Sequence, residues 1–277
     1  MKKISIIFLF FLLLNFLFCR EKIVISPTAG PKTGTLFMAG GNKWSTPIIM
    51  DEFKRLAGGN DCYLTVVPTN QIKNKNRKPE EFIDFWKKLG YKNVNILYFS
   101  EADKGVPEEI LIKLKKSNAV WFYGGDPMLH LKFYKNTKIE ETFFEILEKG
   151  GVIGGPSAGA MIQAEWILWA FNSDVKNYNE FKTFSFAASG ITIIPHVDKR
   201  KLWDKLIPIV QSYPEILGLG ITEGAVAIIQ KNTLRVLGDK IAVYDSSVTT
   251  NECRDDSCFF LLDHGDMYNI KTRKQIN

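Results

Sequence analysis

The sequence is poor in cysteine and histidine, and neither sign of charge dominates it. Four cysteines in 277 residues are too few for a small domain held together by disulfides. Lysine and arginine exceed aspartate and glutamate by 36 − 30 = 6, and 45% of the residues are hydrophobic, which excludes a disordered chain. After residue 20, no apolar run approaches the roughly 20 residues that a membrane-spanning helix needs. The basic run Lys73–Lys78 lacks interleaved aromatic residues and is predicted to be a solvated loop, so we expect no nucleic-acid partner.

The amino terminus has the pattern of an export signal. Lys2 and Lys3 precede an apolar run over residues 4–18, and charged residues follow directly after Cys19. This order predicts a signal peptide over residues 1–18. Cys19 resembles a bacterial lipoprotein cleavage site with a relaxed preceding position; a plain cleaved signal or an uncleaved anchor is the alternative. We therefore expect an exported protein of the bacterial cell envelope, lipidated at Cys19 and anchored to a membrane.

The other cysteines predict at most one disulfide. Cys253 and Cys258 lie in a polar segment and could close a small loop in an exported protein. Cys62 adjoins an apolar run and is predicted to be a buried thiol. Because no histidine lies beside these cysteines, no zinc site is predicted.

Beyond a lipidated or flexible tether over residues 19–34, strand-like and helix-like stretches alternate. Such alternation is typical of a parallel sheet with helices on both faces. Short late strands separated by turns predict an antiparallel extension. The prediction is one α/β domain over residues 35–277, a three-layer sandwich with a mostly parallel central sheet and short antiparallel strands in its C-terminal part. Strands are predicted near residues 36–41, 62–69, 93–99, 118–125, 151–155, 191–195, 216–221, 225–230, 233–237 and 241–245, and helices over residues 46–59, 79–90, 106–117, 126–137, 138–151, 157–170 and 199–212.

One pentapeptide carries the strongest chemical signal. Gly155-Pro156-Ser157-Ala158-Gly159 fits G-x-S-x-G between a predicted strand and a predicted helix. In such a turn the serine hydroxyl projects clear of the sheet, and the following helix amino terminus offers free N–H groups to an oxyanion. Ser157 is therefore the candidate nucleophile, although a small-residue turn needed only for packing has the same pattern.

A serine nucleophile needs a base, which is usually histidine. His196 follows an apolar strand and is the best candidate, whereas His130 lies in a helical pattern and His264 lies in a polar segment near the carboxyl end. The base needs an orienting acid. Spacing does not choose among three candidate acids: Asp174, Asp198 and Glu223.

Several motifs, in order from about Thr35 to Asp245, resemble the cyanophycinase-like serine peptidases, which are relatives of the aspartyl dipeptidases. They are LFMAGG, LAGGNDCYLTVVPT, AVWFYGGDP, GVIGGPSAGAMI, IIPHVD, GLGITEGAVAII and VLGDKIAVYD. The resemblance implies a flavodoxin-like, class I glutamine-amidotransferase-like fold and hydrolysis of a peptide or β-aspartyl isopeptide bond. It implies no metal or organic cofactor, and it suggests a homodimer.

The resemblance also assigns roles to individual residues. It implies Ser157 as nucleophile, His196 as base, Asp174 as the acid and Glu223 as a supporting or substrate-contacting group. The oxyanion and substrate positions it implies are Gly124, Gly125, Asp126 and Ala158, and a cationic group near the pocket would come from Lys199, Arg200 or Lys201.

The chain departs from the family pattern at three substrate-related positions. Pro127, Thr222 and Ile194 replace a glutamine and two aspartates. The chemistry is therefore better supported than cyanophycin as the substrate. A catalytically inactive lipoprotein that binds a ligand is the alternative prediction. An amidotransferase-type hydrolase is disfavoured because that class normally carries cysteine at the turn.

Overall fold

The computed structural model describes residues 29–99, 105–169, 179–187, 190–247 and 259–276. Cys19, Asp174 and the pair Cys253 and Cys258 lie outside these residues, and so does the predicted signal peptide. Among the described residues, no helix has the length and apolar character needed to cross a bilayer.

A nine-stranded sheet forms the centre of the described structure. In the spatial order given below, the first five strands pair with one another in parallel. The remaining four strands extend the sheet through antiparallel pairs. The predicted α/β class, with a parallel sheet core and antiparallel late strands, is confirmed. The spatial order is β3 (Asn93–Ile96), β2 (Tyr63–Val67), β4 (Ala119–Phe122), β5 (Val152–Pro156), β1 (Thr35–Ala39), β10 (Ala225–Gln230), β11 (Thr233–Gly238), β14 (Met267–Asn269) and β15 (Lys274–Ile276).

A second sheet of six strands, which the sequence analysis did not separate from the first, packs beside it. β8 pairs in parallel with β6 and β9, and the outer pairs are antiparallel. The spatial order is β13 (Phe260–Leu262), β12 (Ile241–Tyr244), β9 (Leu217–Ile221), β8 (Ile191–Pro195), β6 (Trp166–Trp169) and β7 (Asn179–Lys182).

Helices cover both faces of the nine-stranded sheet, as predicted from its strands. Along β1, Leu36 and Met38 enter one apolar core while Phe37 and Ala39 enter another. Side chains of a strand alternate between the faces, so β1 is buried on both sides. The described helices are Pro47–Leu56, Thr69–Lys75, Pro79–Lys88, Glu108–Lys115, Pro127–Tyr134, Lys138–Glu148, Ala158–Met161 and Ile207–Ser212, with 3-10 turns at Asn42–Ser45 and Gly59–Asp61.

The helix predicted over residues 157–170 is wrong beyond its first turn. It ends at Met161, and Trp166–Trp169 forms β6 between β7 and β8. Aromatic and branched apolar residues without helical periodicity favour a strand that has neighbours on both sides. Two other boundaries also differ. The helix predicted over residues 199–212 is confined to Ile207–Ser212, and the predicted loop Lys73–Lys78 begins within the helix Thr69–Lys75.

Two smaller predictions concern buried groups. Cys62 is a free, buried thiol as predicted, and burial raises its pKa to about 12. The end of the predicted tether lies against the domain. Ala29 is 1% exposed and its N–H donates to the Asn232 side chain, and the Thr33 hydroxyl donates to the Leu147 carbonyl. The folded part therefore starts before the predicted boundary at residue 35.

Candidate active site

Ser157 occupies a sharp turn between β5 and the helix Ala158–Met161. Its backbone has φ 56° and ψ −118°, a region that residues with a side chain seldom adopt. Its N–H donates to the Ala39 carbonyl at 3.1 Å. A Cβ on Gly155 or Gly159 would lie within 2.2 or 2.3 Å of the Phe122 carbonyl oxygen. The two glycines of the motif therefore allow the turn to lie directly against β4.

His196 and Glu223 form a buried pair beside this turn. His196 directly follows β8 and has φ 58°, and its N–H donates to the Gly40 carbonyl at 3.0 Å. Its Nδ1 lies 2.5 Å from Glu223 Oε2, and the two residues are 4% and 6% exposed. A carboxylate at Nδ1 keeps the proton there and leaves Nε2 as the acceptor nitrogen.

The Glu223 carboxylate is held ionised by several donors. Its Oε1 accepts the Asn42 N–H at 3.0 Å and lies 3.3 Å from Lys199 Nζ. Burial alone would raise the pKa of Glu223, but the bonds from His196, Asn42 and Lys199 outweigh it and lower the pKa to about 2. Asp198 accepts the Glu223 backbone N–H at 2.9 Å, so it supports the loop that carries Glu223.

Gly41, which the sequence analysis did not single out, makes room for this pair. A Cβ there would lie 2.2 Å from Glu223 Oε2 and 2.6 Å from His196 Nδ1. Any side chain at residue 41 would therefore displace one of the two partners. The only signal in the sequence was the double glycine that ends the first strand.

The loop after β4 carries the predicted Gly124, Gly125 and Asp126. The Gln71 amide nitrogen donates to the Gly124 carbonyl at 2.9 Å, and the Asn70 side-chain oxygen accepts the Asp126 N–H at 2.8 Å. The Asp126 carboxylate is exposed and caps the helix Pro127–Tyr134 through the Met128 N–H. The N–H of Asp126 thus holds the loop and its carboxylate caps the helix. Asp126 does not line the two cavities at Ser157 that are described below.

Two backbone N–H groups near Ser157 have no acceptor in the described part of the chain. Ala158 is the first residue of its helix, where N–H groups have no partner within the helix. Among the described residues, no acceptor contacts the N–H of Ala158 or of Gly125. A trans peptide directs its carbonyl and N–H oppositely, so the Gln71 bond to the Gly124 carbonyl also fixes the direction of the Gly125 N–H.

Asn70 and Gln71 are site-building residues that the sequence analysis missed. They lie in the first turn of the helix Thr69–Lys75, which follows β2, and they are 2% and 8% exposed. The Gln71 Oε1 atom is buried without a hydrogen-bond partner among the described residues. Their signal in the sequence was only their place at a strand end, where ligand-binding residues of parallel sheets collect.

Two cavities meet at Ser157. A cavity of about 270 Å³ is largely polar and contains both Ser157 and His196, with Gln71, Lys75, Tyr123 and Arg200 among its lining. A cavity of about 360 Å³ is largely apolar and contains Ser157 and Arg200 as well. Of the three predicted cations, Arg200 lines both cavities, Lys199 contacts Glu223, and Lys201 lines neither cavity.

The other histidines lie elsewhere. His130 is fully buried, and its Nε2 lies 2.9 Å from the Tyr123 carbonyl oxygen. Burial lowers its pKa to about 4, so it is neutral at pH 7. His264 accepts the Gly238 N–H at 3.1 Å. No group of three or more metal-ligating side chains occurs among the described residues.

Known proteins resemble this chain over most of its length. The family model described as "Peptidase family S51" matches residues 35–237. A cyanophycinase of Synechococcus elongatus is 26% identical, with 82% of this chain and 75% of the relative covered. A cyanophycinase of Geminocystis herdmanii (strain PCC 6308) is 25% identical, with coverages of 82% and 89%.

Two solved structures share the fold. A peptidase from an acI-B1 Actinobacterium has a TM-score of 0.64 at 21% identity, with 87% of this chain and 98% of that chain covered. A putative peptidase E protein from Listeria monocytogenes EGD-e has a TM-score of 0.53 at 18% identity, with coverages of 74% and 98%.

Proposed function

This chain belongs to peptidase family S51 and is a serine-type peptidase, and from that premise we propose that Ser157, His196 and Glu223 form its catalytic triad. The observation that supports the proposal is the 2.5 Å contact between His196 Nδ1 and the Glu223 carboxylate, with Ser157 and His196 lining one cavity. The bond cleaved in this proposal is a peptide bond or a β-aspartyl isopeptide bond.

The proposed reaction is acyl transfer to water. His196 Nε2 takes the hydroxyl proton as Ser157 Oγ attacks the carbonyl carbon, and the N–H groups of Gly125 and Ala158 stabilise the oxyanion. The protonated His196 then gives that proton to the leaving amine as the C–N bond breaks. A water molecule, deprotonated by His196, attacks the acyl-enzyme and releases the acid and free Ser157.

An acidic substrate group suits the polar cavity. Lys75 and Arg200 line it, and no aspartate or glutamate does so among the described residues. A carboxylate close to the scissile bond would meet complementary charge there. The relatives named as cyanophycinases support an aspartyl or β-aspartyl substrate in the same way.

Fluorophosphonate labelling tests the triad. We expect the wild-type protein to be labelled at Ser157, and Ser157→Ala and His196→Ala to be unlabelled and to hydrolyse no aspartyl or β-aspartyl dipeptide above background. Circular dichroism checks that the variants are folded. A folded wild type that is neither labelled nor active would contradict the proposal and favour a catalytically inactive binding protein.

The choice of acid has its own test. Glu223→Gln keeps the shape of the side chain but removes the charge beside His196, and we expect it to lower kcat/KM by about 10²–10⁴-fold. Asp174→Asn is the matched variant of the other candidate acid and is expected to stay within a few-fold of wild type. The opposite ranking would transfer the role to Asp174.

Export to the cell envelope remains a separate proposal. It is supported by Lys2 and Lys3, by the apolar run over residues 4–18 and by Cys19, all of which lie outside the described residues. Radioactive palmitate should be incorporated by the wild type in a bacterial host and not by Cys19→Ser. Equal incorporation by both would exclude lipidation at Cys19.

A further inference from the structure

The apolar cavity beside Ser157 has a chemical character of its own. Its volume is about 360 Å³, which is within the range of small-ligand sites. We propose that it is a substrate subsite that receives a large apolar side chain flanking the scissile bond and rejects a cationic one; this rests on the proposed function. Its main apolar lining is Pro127, Met161, Leu168, Ile194, Pro195 and Leu202.

The lining comes from elements that also build the site. Met161 ends the helix that directly follows Ser157, and Ile194 and Pro195 are the last residues of β8, directly before His196. Leu168, on β6, is 6% exposed and belongs to the core. The subsite is therefore attached to both the nucleophile and the base, so a side chain bound in it would lie next to the reacting carbonyl.

The charges of this cavity disfavour a basic side chain. Arg200 and Lys205 are the charged residues that line it in the described part of the chain, and no carboxylate does so. An arginine or lysine side chain of the substrate would lose water there without gaining a counter-charge, and it would face two like charges. An apolar side chain would instead bury its surface against apolar neighbours.

The polar cavity, which shares Gly125, Ser157 and Arg200 with the apolar cavity, takes the opposite kind of group. Lys75 and Arg200 offer positive charge, and the buried Gln71 Oε1 lacks a hydrogen-bond donor among the described residues. That oxygen can accept an N–H from a bound peptide. The substrate class is therefore a peptide or isopeptide with an acidic residue on one side of the scissile bond and a large apolar residue on the other.

Paired dipeptide series test the subsite. The first series keeps an α- or β-linked aspartate on the acyl side and varies the leaving residue through Leu, Phe, Ala, Arg and Lys. The second series reverses the order. In one of the two series we expect kcat/KM to be about 10–100-fold higher for Leu or Phe than for Ala, and lower again for Arg and Lys. Equal rates, or a preference for Arg, would overturn the proposal.

A charge introduced into the cavity provides the second test. Ile194→Asp adds a carboxylate to the lining, and we expect it to raise the Arg-to-Leu ratio of kcat/KM by at least about tenfold. Ile112→Asp is the matched control because Ile112 is 50% exposed on the helix Glu108–Lys115 and lines neither cavity at Ser157. The control should retain the wild-type ratio; an unchanged ratio in folded Ile194→Asp would contradict the subsite.

Binding to Ser157→Ala separates this proposal from the proposed function. Calorimetry with the same dipeptides measures subsite preference without turnover, and we expect tighter binding of the Leu peptide than of the Arg peptide. Failure of the proposed function is seen as a folded wild type that is neither labelled nor active. Failure of the subsite is seen as binding to Ser157→Ala that does not distinguish Leu from Arg, whether or not the wild type is active.

Discussion

At the scale of single residues, the candidate nucleophile and the candidate base share an unusual backbone. Ser157 and His196 have φ values of 56° and 58°, and neither is glycine. Each such residue costs about 1–3 kcal/mol, and such residues persist where the surrounding structure holds them. The N–H of each donates to the carbonyl of a neighbour in the β1 segment, Ala39 and Gly40. Both of these residues line one cavity, so their backbone conformations position the two side chains at the candidate site.

The carboxylate of Glu223 predicts a pH dependence of stability. Its pKa is about 2 in the folded protein against an ordinary 4.5, because hydrogen bonds outweigh the effect of burial. A lowered folded pKa stabilises the protein above pH 4.5, and this contribution is lost as the pH falls from about 4.5 to 2. We expect the difference in unfolding free energy between wild type and Glu223→Gln to shrink across that window, as measured by urea titration at several pH values. A constant difference would show that the ionised form is not specially stabilised.

Gly41 predicts a steric effect on the same pair. The methyl group of Gly41→Ala would overlap Glu223 Oε2 and His196 Nδ1, so we expect fluorophosphonate labelling to slow by roughly 100-fold in a protein that still folds. Gly150→Ala is the control. Its added Cβ meets nothing within 4 Å, although its φ of 87° makes the change destabilising by roughly 1 kcal/mol. Normal labelling of Gly41→Ala would contradict the described geometry.

At the scale of elements, the amino end of the helix Thr69–Lys75 holds the loop after β4. Gln71 fixes the Gly124 carbonyl, and Asn70 fixes the Asp126 N–H. We expect Gln71→Glu, which removes the donor but not the volume, to lower kcat by about 10–100-fold with a smaller change in KM. Gln230→Glu is the matched control because its amide binds Thr35. A rise in KM alone would assign Gln71 to substrate binding instead of loop positioning.

The sequence predicts the elements of this fold better than their contacts. Strong periodicity located the helices Pro47–Leu56 and Pro79–Lys88 and the strands β8 to β12 within a few residues. The strand β6 differs from the predicted helix because helical spacing earlier in the segment does not continue through it, and its pairing with β7 and β8 is a tertiary contact.

The candidate site shows the same limit. Gly-x-Ser-x-Gly and a strand-end histidine singled out Ser157 and His196, since both are signalled by local sequence. The sequence leaves three candidate acids for the triad. The 2.5 Å contact between Glu223 and His196 is a tertiary contact, which the spacing of residues does not predict. The roles of Gln71 and Gly41 in the site are not predicted from the sequence, because each acts on residues of a different segment of the chain.

At the scale of the whole molecule, the site depends on how the two sheets pack. Ser157 follows β5 of the nine-stranded sheet, whereas His196 follows β8 of the six-stranded sheet. Ile153 of β5 and Ile193 of β8 lie in one buried core that joins the sheets. Glu223 lies between β9 and β10, where the chain passes from one sheet to the other.

The core between the sheets predicts a large effect on stability. Ile153 is fully buried, and we expect Ile153→Ala to lower the unfolding free energy by about 2–5 kcal/mol because it leaves a cavity. Ile112→Ala, at a half-exposed position on a helix, should change it by about 0.5 kcal/mol or less. Urea unfolding followed by fluorescence measures both. Similar values for the two variants would contradict the described core.

The division of the candidate site between two sheets also means that the site is complete only when both sheets have folded. A chain in which only the nine-stranded sheet has formed holds its serine in the turn but has no base beside it. Activity of the proposed triad therefore requires that both sheets are folded and packed against each other. In refolding experiments, fluorophosphonate labelling should not return before the secondary structure of both sheets has returned.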